Sequence, residues 1–586
     1  MARRGPDHAA ARSWSPVPGR NVTLLHTRLA IVDLHMRANQ PLQVGTKWMV
    51  SNSELYNYRE LRANLLAAGR SFATSSDTEV LLHAIDAWGW SALDRCEGMW
   101  AFAVYDEEDG SLVLARDRFG EKPLWLFHDG DDLYFGSEVK FIAALAGRRL
   151  RANLRHVRRY LLHGYRALYK STESFHEGIE ALAPATLLRL DVMAPEKRQT
   201  YWAPRFDPDD GMSYDDAVQG TRQRLRRSIE LRLRADVPAA FCLSGGLDSN
   251  ALVAIAKRDL AYDVEAFTAV LDDPRYDERP QVDAVVAALG VRHRYVRPER
   301  TRFLERLREL VRQHDGPLAT ISYYVHWSVM EAQAAHGYRI SVSGTGADEL
   351  FAGYYDHHLA YLHEMRGDPP VRVAAEAAWR QRVLPHVRNP LLRDPSLFDR
   401  EPHYRAHLFG ENGRFRHLLQ DGTLGSFAER GWTNDLLRNR MLNELTTEVV
   451  PAILYEDDLN AMYFSVENRA PFLDRELVDF AFRIPTRLLI RDGFGKAVLR
   501  DAVRGVVPDV VVDQPRKVGF NAPVEELLHL RDAATRAEIL REGPIFDIVR
   551  PDQLETLLAQ AAFDNSESKF LFNVLNAKLF LEEAGA

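Results

Sequence analysis

Residues 243–249 combine glycines, hydroxyls and a carboxylate in a pattern that can bind phosphate. The run Leu243-Ser244-Gly245-Gly246-Leu247-Asp248-Ser249 follows the apolar stretch 237–242 and precedes the helix-like run 251–256. A strand that breaks at paired glycines into a helix presents backbone N–H groups and a positive dipole end to an anion. Asp248 fits beside a polyphosphate only if a divalent cation lies between the two charges. The loop therefore predicts a bound magnesium nucleotide.

This loop differs from the common phosphate loop of kinases and GTPases. It lacks the Gly-Lys-Ser/Thr ending, so transfer of a γ-phosphoryl group is not the expected chemistry. It resembles the pyrophosphate loop of N-type ATP pyrophosphatases, which cleave ATP between the α and β phosphates and adenylate a substrate. That resemblance implies ATP and Mg²⁺ as ligands. The alternative is a glycine-rich turn whose serine caps the next helix.

A second glycine-rich segment with acids close behind it follows the strand-like run 338–343. It reads Ser343-Gly344-Thr345-Gly346-Ala347-Asp348-Glu349. Two such loops on neighbouring strands can face one crevice, and Asp348 is then a second carboxylate for the cation that Asp248 binds. Alone, the segment also fits a helix start whose acids complement the helix dipole. Together the loops predict a metal site at Asp248 and Asp348 and nucleotide contacts from Leu243, Ser244, Gly245, Gly246, Asp248, Ser249, Ser343 and Gly344.

The elements that must position these loops alternate along the chain beyond residue 212. Strand-like runs at 237–242, 266–270, 292–296 and 338–343 alternate with helix-like runs, one of them over 280–289. This alternation predicts an α/β doubly wound parallel sheet, whose ligand crevice lies at the carboxyl ends of the strands. Residues 355–586 read as mostly helical and charged.

The first part of the chain has a different pattern. Strand-like runs at 22–25, 48–50, 100–105, 112–115 and 124–127 are separated by turns, and helix-like stretches cover 58–68 and 78–88. This pattern predicts a layered α+β domain. Residues 150–205 read as a mixed connector, and the turn-rich segment 206–211 predicts a boundary between domains 1–205 and 206–586.

The composition excludes several classes of function. The chain has 586 residues with 75 basic and 83 acidic side chains, a net charge of −8, which gives no general attraction to nucleic acid or anionic membranes. Its two cysteines, Cys96 and Cys242, argue against a disulfide framework. No apolar run approaches the ~20 residues that span a bilayer, and the N-terminus lacks the apolar core of a signal peptide. We expect a cytoplasmic protein with small-molecule substrates and no nucleic-acid or membrane partner, and leave a homodimer open.

The order of motifs resembles the glutamine-hydrolysing asparagine synthetases. Segments 4–7, 26–33, 52–57, 76–80 and 115–124 look like the glutaminase half of that family. The two phosphate loops, then Glu-Asn-Arg-Ala-Pro-Phe-Leu-Asp at 467–474 and Lys-Ala-Val-Leu-Arg at 496–500, look like the synthetase half. The resemblance implies an α+β N-terminal-nucleophile glutaminase sandwich, a class II glutamine amidotransferase domain. It also implies an α/β adenylating domain with a helical C-terminal part, joined to the sandwich by an ammonia tunnel.

The resemblance also implies a reaction. In that family aspartate attacks the α-phosphate of MgATP to give β-aspartyl-AMP and pyrophosphate, and ammonia then displaces AMP to form asparagine. Lys496 matches the lysine that stabilises charge as pyrophosphate leaves. Glu467 matches a carboxylate that accepts the proton of the attacking amine. Lys496 could equally be a solvated surface charge, and Glu467 could pair with Arg469.

The resemblance assigns a glutamine pocket to Arg28, Asn52, Ser53, Glu54 and Asp77. Arg28 pairs with the α-carboxylate, as its guanidinium fork allows. Glu54 and Asp77 accept from the α-ammonium group, and Asn52 donates to the oxyanion. Ser53 departs from the usual glycine at its position, so the local backbone must tolerate a Cβ.

Two of these side chains have simpler explanations. Asp77 could cap a helix that starts at Thr78, and Arg28 could pair with Asp33.

The family nucleophile, a cysteine exposed as the mature first residue, has no counterpart in this sequence. Position 2 is Ala2, and Cys96 lacks an adjacent free α-amine. Either the reading frame starts late, or the protein draws ammonia from solution or uses a different amine. Loss of a central strand would leave an exposed sheet edge, which favours a truncated sequence.

Three functional hypotheses follow. The first is asparagine synthesis. The second is an amide ligase of the same mechanism acting on another carboxylate, such as a sugar acid or a natural-product intermediate. Thr345 favours the second because many family members carry an acid there, close to the acceptor. The third is a retired paralogue that binds nucleotide, against which the intact Asp248, Asp348, Glu467 and Lys496 argue.

Overall fold

The computed structural model of this chain describes residues 1–191, 194–408, 413–422, 428–517 and 522–585. The strands of its first part are β1 (His8–Val17), β2 (Arg20–Arg28), β3 (Leu42–Val44), β4 (Lys47–Leu55), β5 (Gly98–Asp106), β6 (Leu112–Arg116), β7 (Trp125–Asp129), β8 (Asp132–Gly136), β9 (Ile179–Ala181), β10 (Thr186–Asp191) and β11 (Ala194–Thr200). Its α-helices are α1 (Tyr58–Ala67), α2 (Asp77–Trp88), α3 (Val139–Ala146) and α4 (Leu154–His163).

Antiparallel sheets form a sandwich in this part. The main sheet has the strand order β11-β10-β6-β5-β4-β3, and the smaller sheets are β1-β2 and β8-β7-β9. Successive side chains of a strand point to opposite faces. Phe102 and Val104 of β5 therefore join the core under α1 and α2, whereas Ala101, Ala103 and Tyr105 pack towards β2 and β7. The predicted layered α+β domain is confirmed.

The second part is built on a parallel sheet. Its strands are β12 (Ala239–Cys242), β13 (Glu265–Ala269), β14 (Arg292–Val296), β15 (Ile340–Val342) and β16 (Glu467–Arg469), in the order β14-β13-β12-β15-β16. All four pairings are parallel among the residues the structure describes. The chain moves outward from β12 in one direction and then in the other, so the sheet is doubly wound, as predicted.

The helices around this sheet and beyond it make the second part mostly helical. They are α5 (Tyr214–Arg232), α6 (Leu247–Ala254), α7 (Arg279–Leu289), α8 (Phe303–His314), α9 (Ser322–Ala335), α10 (Ala347–Phe351), α11 (Tyr355–Glu364), α12 (Pro369–Arg382), α13 (Leu397–Arg400), α14 (Leu436–Asn443), α15 (Val450–Tyr463), α16 (Arg475–Ala481), α17 (Ala497–Ala502), α18 (Asp509–Val512), α19 (Val524–Leu527), α20 (Ala533–Leu540), α21 (Pro551–Leu558) and α22 (Asn565–Ala584). Within the described ranges, none of the helices is long and apolar enough to cross a membrane.

Most of the elements predicted from sequence are confirmed. The expected strands of the parallel sheet correspond to β12, β13, β14 and β15, and the helix expected over 280–289 is α7. The expectation for 150–205 needs correction, because β10 and β11 complete the main sheet of the sandwich and are not a connector. The predicted strands omit β1, β3, β8, β9, β10, β11 and β16. Most residues of β1 are exposed or half-exposed, so pairing with β2 fixes its conformation and no apolar alternation marks it.

Ion pairs, most of them buried, connect the two parts. They are Arg4–Asp458, Glu54–Arg469, Glu97–Arg232, Lys122–Glu467 and Lys140–Asp315. Arg232, with a side chain 1% exposed, lies 3.1 Å from Glu97 and 3.1 Å from Asp474. Buried charges depend on their partners, because water cannot replace a partner that is lost.

We expect Arg232→Met to lower the free energy of unfolding by about 3–5 kcal/mol, because it leaves Glu97 and Asp474 buried without their shared cation. Arg234→Met is the matched control. Arg234 pairs with Glu60, whose side chain is 54% exposed, and such a pair contributes about 1 kcal/mol or less. Urea unfolding of both variants measures the difference. Equal losses in the two variants would contradict the proposed role of the Arg232 cluster.

Candidate active site

Both glycine-rich loops lie at the carboxyl ends of adjacent parallel strands. The loop 243–246 leaves β12, and the loop 343–346 leaves the neighbouring strand β15. The strand order reverses between β12 and β15, and this switch point is where doubly wound sheets bind ligands. The topology therefore brings the two loops to one crevice.

Hydrogen bonds within the first loop fix its shape. Ser244 N donates to Ser249 Oγ at 3.0 Å, and Gly246 N donates to Ser244 Oγ at 3.2 Å. Asn250 Nδ2 donates to the carbonyl oxygens of Ser244 and Gly246 at 2.8 and 2.6 Å. The two serine hydroxyls lie 3.0 Å apart, so they point to the same side and can serve one phosphate group.

An acidic side chain accepts a hydrogen bond from the backbone N–H group of Gly245. Gly245 N donates to Glu278 Oε2 at 3.0 Å, and burial raises the pKa of Glu278. A Cβ on Gly245 would lie 3.2 Å from the Glu278 Cβ, so a larger residue here would displace Glu278 by a few tenths of an ångström. The same N–H group can serve a phosphate oxygen if the Glu278 carboxyl group withdraws.

The second loop packs directly on the first. A Cβ on Gly344 would lie 3.0 Å from the Asp248 Cβ and 3.2 Å from Ser249 N. Ser343 N donates to Arg469 O at 3.0 Å, so β16 anchors the start of this loop. Gly346 has φ +100°, a conformation that glycine adopts at low cost.

A buried lysine joins the two loops. Lys496 is 6% exposed, and its Nζ lies 2.6 Å from both Asp248 Oδ1 and Asp348 Oδ1. Lys517 Nζ contacts Asp348 Oδ2. Burial lowers the pKa of Lys496, but the two carboxylates outweigh that effect and raise it. The alternative of a solvated surface lysine is wrong.

The two carboxylates differ in their electrostatic environment. Burial acts against ionisation of Asp348, but Lys496 and Lys517 hold the pKa of Asp348 well below its ordinary value. Burial raises the pKa of Asp248, although Lys496 opposes it. Lys496 and Lys517 contact the two aspartates of this cluster, and Arg500 also interacts electrostatically with Asp248. Asp248 and Asp348 both contact Lys496 Nζ, and carboxylate oxygens are ligands that suit a hard divalent cation.

Polar side chains border the crevice on the side of Thr345. Ser343 Oγ lies 3.3 Å from Thr345 Oγ1, and Asn468 Nδ2 donates to Ser343 Oγ at 3.1 Å. Asp457 Oδ2 accepts from Thr345 Oγ1 and from Asn468 Nδ2, each at 3.4 Å. Burial raises the pKa of Asp457 to about 8, so this carboxyl group is mostly protonated at neutral pH.

Glu467 points away from that cluster. Alternation along β16 puts Glu467 and Arg469 on one face and Asn468 on the other. Glu467 Oε1 accepts from Arg469 Nε at 3.0 Å, and its Oε2 lies 3.4 Å from Lys122 Nζ. The pairing with Arg469 considered from sequence is therefore present. Glu467 also lines a cavity in the first part of the chain.

That cavity, about 1040 Å³ in volume, contains the expected glutamine pocket. Its lining includes Arg28, Asn52, Ser53, Glu54 and Asp77. Asn52 Nδ2 is buried and has no hydrogen-bond partner among the described residues, so it is available to a ligand oxygen. Ser53 lies in regular strand β4 opposite Trp100, and its Cβ needs no special backbone conformation.

The charged groups of this pocket have protein partners. Arg28 donates to the carbonyl oxygens of His35 and Val32 at 2.9 and 3.2 Å and contacts that of Asp33. Asp77 Oδ2 accepts from Leu55 N at 2.8 Å, and burial raises the pKa of Asp77 to about 6.

Other side chains also bear on the sequence predictions. Ser76, not Asp77, caps α2. Glu54 Oε2 lies 2.9 Å from Arg469 Nη2. Burial raises the pKa of Cys96 to about 12 and that of Cys242 to about 11, so neither thiol is an activated nucleophile.

Several site residues were not found from sequence. Glu278, Asp457, Asn468 and Lys517 lie at the crevice but far from the glycine loops in the chain. A partial signal exists for Asp457, since three consecutive acids at 456–458 lie in α15, and all three are buried. Lys517 carries no local signal, because a lysine in a polar segment is usually a surface residue.

Comparison with known proteins covers both parts of the chain. The family model for asparagine synthase matches residues 220–582, and the model for a glutamine amidotransferase domain matches residues 1–202. Glutamine-hydrolyzing asparagine synthetase 1 of Bacillus subtilis is 28% identical over 98% of this chain and 91% of its own length. A putative glutamine-hydrolyzing asparagine synthetase of Mycobacterium tuberculosis is 30% identical over 90% of this chain and 83% of its own.

A third relative carries a different name. Amidase chry2 of Gibberella zeae is 26% identical over 99% of this chain and 92% of its own length. From the two family matches and the full-length relatives, we conclude that this chain belongs to the asparagine synthetase family and is an ATP-dependent amide-forming ligase resembling asparagine synthase.

Proposed function

We propose that the crevice between β12 and β15 binds ATP with Mg²⁺ and adenylates a carboxylate, which an amine then converts to an amide. Aspartate is the first candidate for the carboxylate, with asparagine as its product. The observation that carries the proposal is the convergence of Asp248 and Asp348 on buried Lys496. We assign the sandwich to residues 1–205 and the ligase to 206–586, since the division falls between β11 and α5.

Different residues of the crevice act on different groups of ATP during adenylation. The hydroxyls of Ser244 and Ser249 and the N–H groups of the first loop hold the β and γ phosphates as pyrophosphate departs. Lys496 neutralises the negative charge that develops on the bridging oxygen when the bond to the α-phosphorus breaks. Asp248 and Asp348 would hold Mg²⁺, which supplies charge neutralisation when bound.

The amide-forming step needs a proton acceptor. The amine loses a proton as it attacks the acyl carbon, and AMP leaves with the bonding electron pair. Glu467 is our candidate acceptor, since its carboxylate faces the cavity that also contains the glutamine pocket. Arg469 and Lys122 hold this carboxylate in place.

A second candidate function is the same chemistry on a carboxylate other than aspartate. Thr345 and its partner Asp457 present a hydroxyl and a carboxyl group that is mostly protonated near neutral pH. This surface suits an uncharged polar acceptor better than an ammonium group, which prefers ionised carboxylates.

One experiment separates the two candidates. The protein is incubated with ATP, Mg²⁺, ammonium and a panel of carboxylates that includes aspartate and sugar acids, while AMP and pyrophosphate are measured. Aspartate-dependent formation of AMP supports asparagine synthesis. AMP formation with another acid alone supports the second candidate, and no AMP with any acid counts against ligase activity on the panel tested.

We expect Asp248→Asn and Asp348→Asn each to lower kcat/KM for MgATP by roughly 100-fold or more, since each removes several kcal/mol of charge stabilisation. The deficit should shrink as the magnesium concentration rises. Asp263→Asn, on a side chain 80% exposed, is the control and should keep native activity. Full activity of either crevice variant at limiting magnesium would exclude that residue as a ligand.

Lys496 and Glu467 should act at different steps. Rapid-quench measurement of pyrophosphate should show Lys496→Ala slower by about 100-fold, because its charge acts as pyrophosphate leaves. Glu467→Gln should release pyrophosphate in a first turnover but form amide slowly. Lys197→Ala, an exposed lysine in β11, is the control. Equal loss of the pyrophosphate burst in both variants would refute this division of roles.

Asp457→Asn should gain stability relative to the native protein as pH rises from 5 to 8. The folded state binds the Asp457 proton more tightly than the unfolded state, since its pKa is about 8. The stability it contributes is therefore full at low pH and lost as pH rises through that pKa, by up to about 1.4 kcal/mol per pH unit. Urea unfolding at each pH measures the difference, with Asp509→Asn on the surface as control. A difference that stays constant with pH would disprove the shift.

A further inference from the structure

Arg469 touches both the expected glutamine pocket and the second loop of the crevice. It ends β16 and is 0% exposed. Its Nη2 lies 2.9 Å from Glu54 Oε2, in the wall of the pocket. Its carbonyl oxygen accepts from Ser343 N at 3.0 Å, at the start of the loop that carries Asp348. One residue thus connects the two sites through direct contacts.

The guanidinium group is fixed on its other sides as well. Arg469 Nη1 donates to the carbonyl oxygens of Arg232 and Arg234 at 2.7 and 3.1 Å, and Nε donates to Glu467 at 3.0 Å. A planar guanidinium group presents its donors in a rigid fork. Because the guanidinium group is buried, water cannot compensate a change in charge at Glu54. Either the other partners of Arg469 or a movement of β16 must compensate it.

Little room exists for such movement at the crevice. Arg469 O holds Ser343, and the next residue, Gly344, packs against the Cβ of Asp248 so closely that an added Cβ would lie 3.0 Å away. A shift of Arg469 therefore alters the relative position of Asp248 and Asp348.

An ammonium group supplied by a ligand competes with Arg469 for Glu54. Two carboxylates, Glu54 and Glu467, share the cation of Arg469. If a ligand cation pairs with Glu54, Arg469 pairs with Glu467 alone.

We propose that Arg469 is a positioning residue that couples binding of an α-amino acid at Glu54 to nucleotide binding at Asp248 and Asp348. This inference rests on the proposed function, because it requires ATP in the crevice. Coupling between two binding sites is reciprocal, so each ligand changes the affinity of the other by the same factor.

Calorimetric titration tests the coupling without turnover. The probes are glutamine and magnesium α,β-methylene-ATP, which lacks the bond that adenylation cleaves. In the native protein, saturating glutamine should change the affinity for the nucleotide by about 5-fold or more, and saturating nucleotide should change the affinity for glutamine by the same factor.

Variants then identify the residue that carries the coupling. Arg469→Lys keeps the charge but loses the fork, so both ligands should bind with a coupling factor near 1. Glu54→Gln is the second variant, and its nucleotide affinity without glutamine should already differ from the native value. A purely local role for Glu54 predicts no such difference. Glu60→Gln removes an acid from the same interface, where it pairs with Arg234, and should retain native coupling.

The possible failures are distinguishable. No binding of the nucleotide would refute the proposed function. Binding of the nucleotide with no response to glutamine, or with native coupling in Arg469→Lys, would overturn the inference and leave the proposed function intact. If Arg469→Lys does not fold, a native nucleotide affinity in Glu54→Gln would overturn it.

Discussion

One buried lysine joins two carboxylates from the two loops of the candidate active-site crevice. Lys496 Nζ lies 2.6 Å from Asp248 on the first loop and from Asp348 on the second. The surrounding backbone is built for this contact: Lys496 has φ 56°, and a Cβ on Gly353 would lie 1.8 Å from Asp348 Oδ1 and 2.3 Å from Lys496 Cε. The close approach needs glycine, because any larger residue would separate the lysine from its partner.

The parallel sheet makes that contact possible between distant parts of the chain. The strands β12, β15 and β16 are adjacent although their residues span 239–469. Their carboxyl ends meet at the switch point, where the two loops begin. Successive side chains of β16 point to opposite sides. Asn468 faces the Thr345 side of the crevice, and Glu467 and Arg469 face the sandwich. One strand of three residues therefore belongs to both halves of the enzyme.

Structural features that follow from local sequence pattern could be predicted, whereas residues that are brought together by packing could not. In both loop regions a strand, a glycine turn and a helix follow one another within a few residues. This pattern predicts the glycine loops, the strands before them, and the positions of Asp248 and Asp348. Lys517 and Asp457 reach the crevice from elements far away in sequence, so spacing gave no signal for them. The exposed strand β1 has no buried face to mark it. The ion pair of Glu54 with Arg469 could not be predicted, because it depends on how the two parts of the chain pack.

Positional isotope exchange tests the central claim most directly. ATP labelled with ¹⁸O in the bridge between the α and β phosphates is incubated with the protein, Mg²⁺ and the accepted carboxylate, without amine. If the crevice adenylates the carboxylate reversibly, the label moves from the bridge to nonbridging positions of the β-phosphate, and this exchange requires the carboxylate. Cleavage of ATP to ADP and phosphate, with the label retained in the bridge of the remaining ATP, would contradict the account.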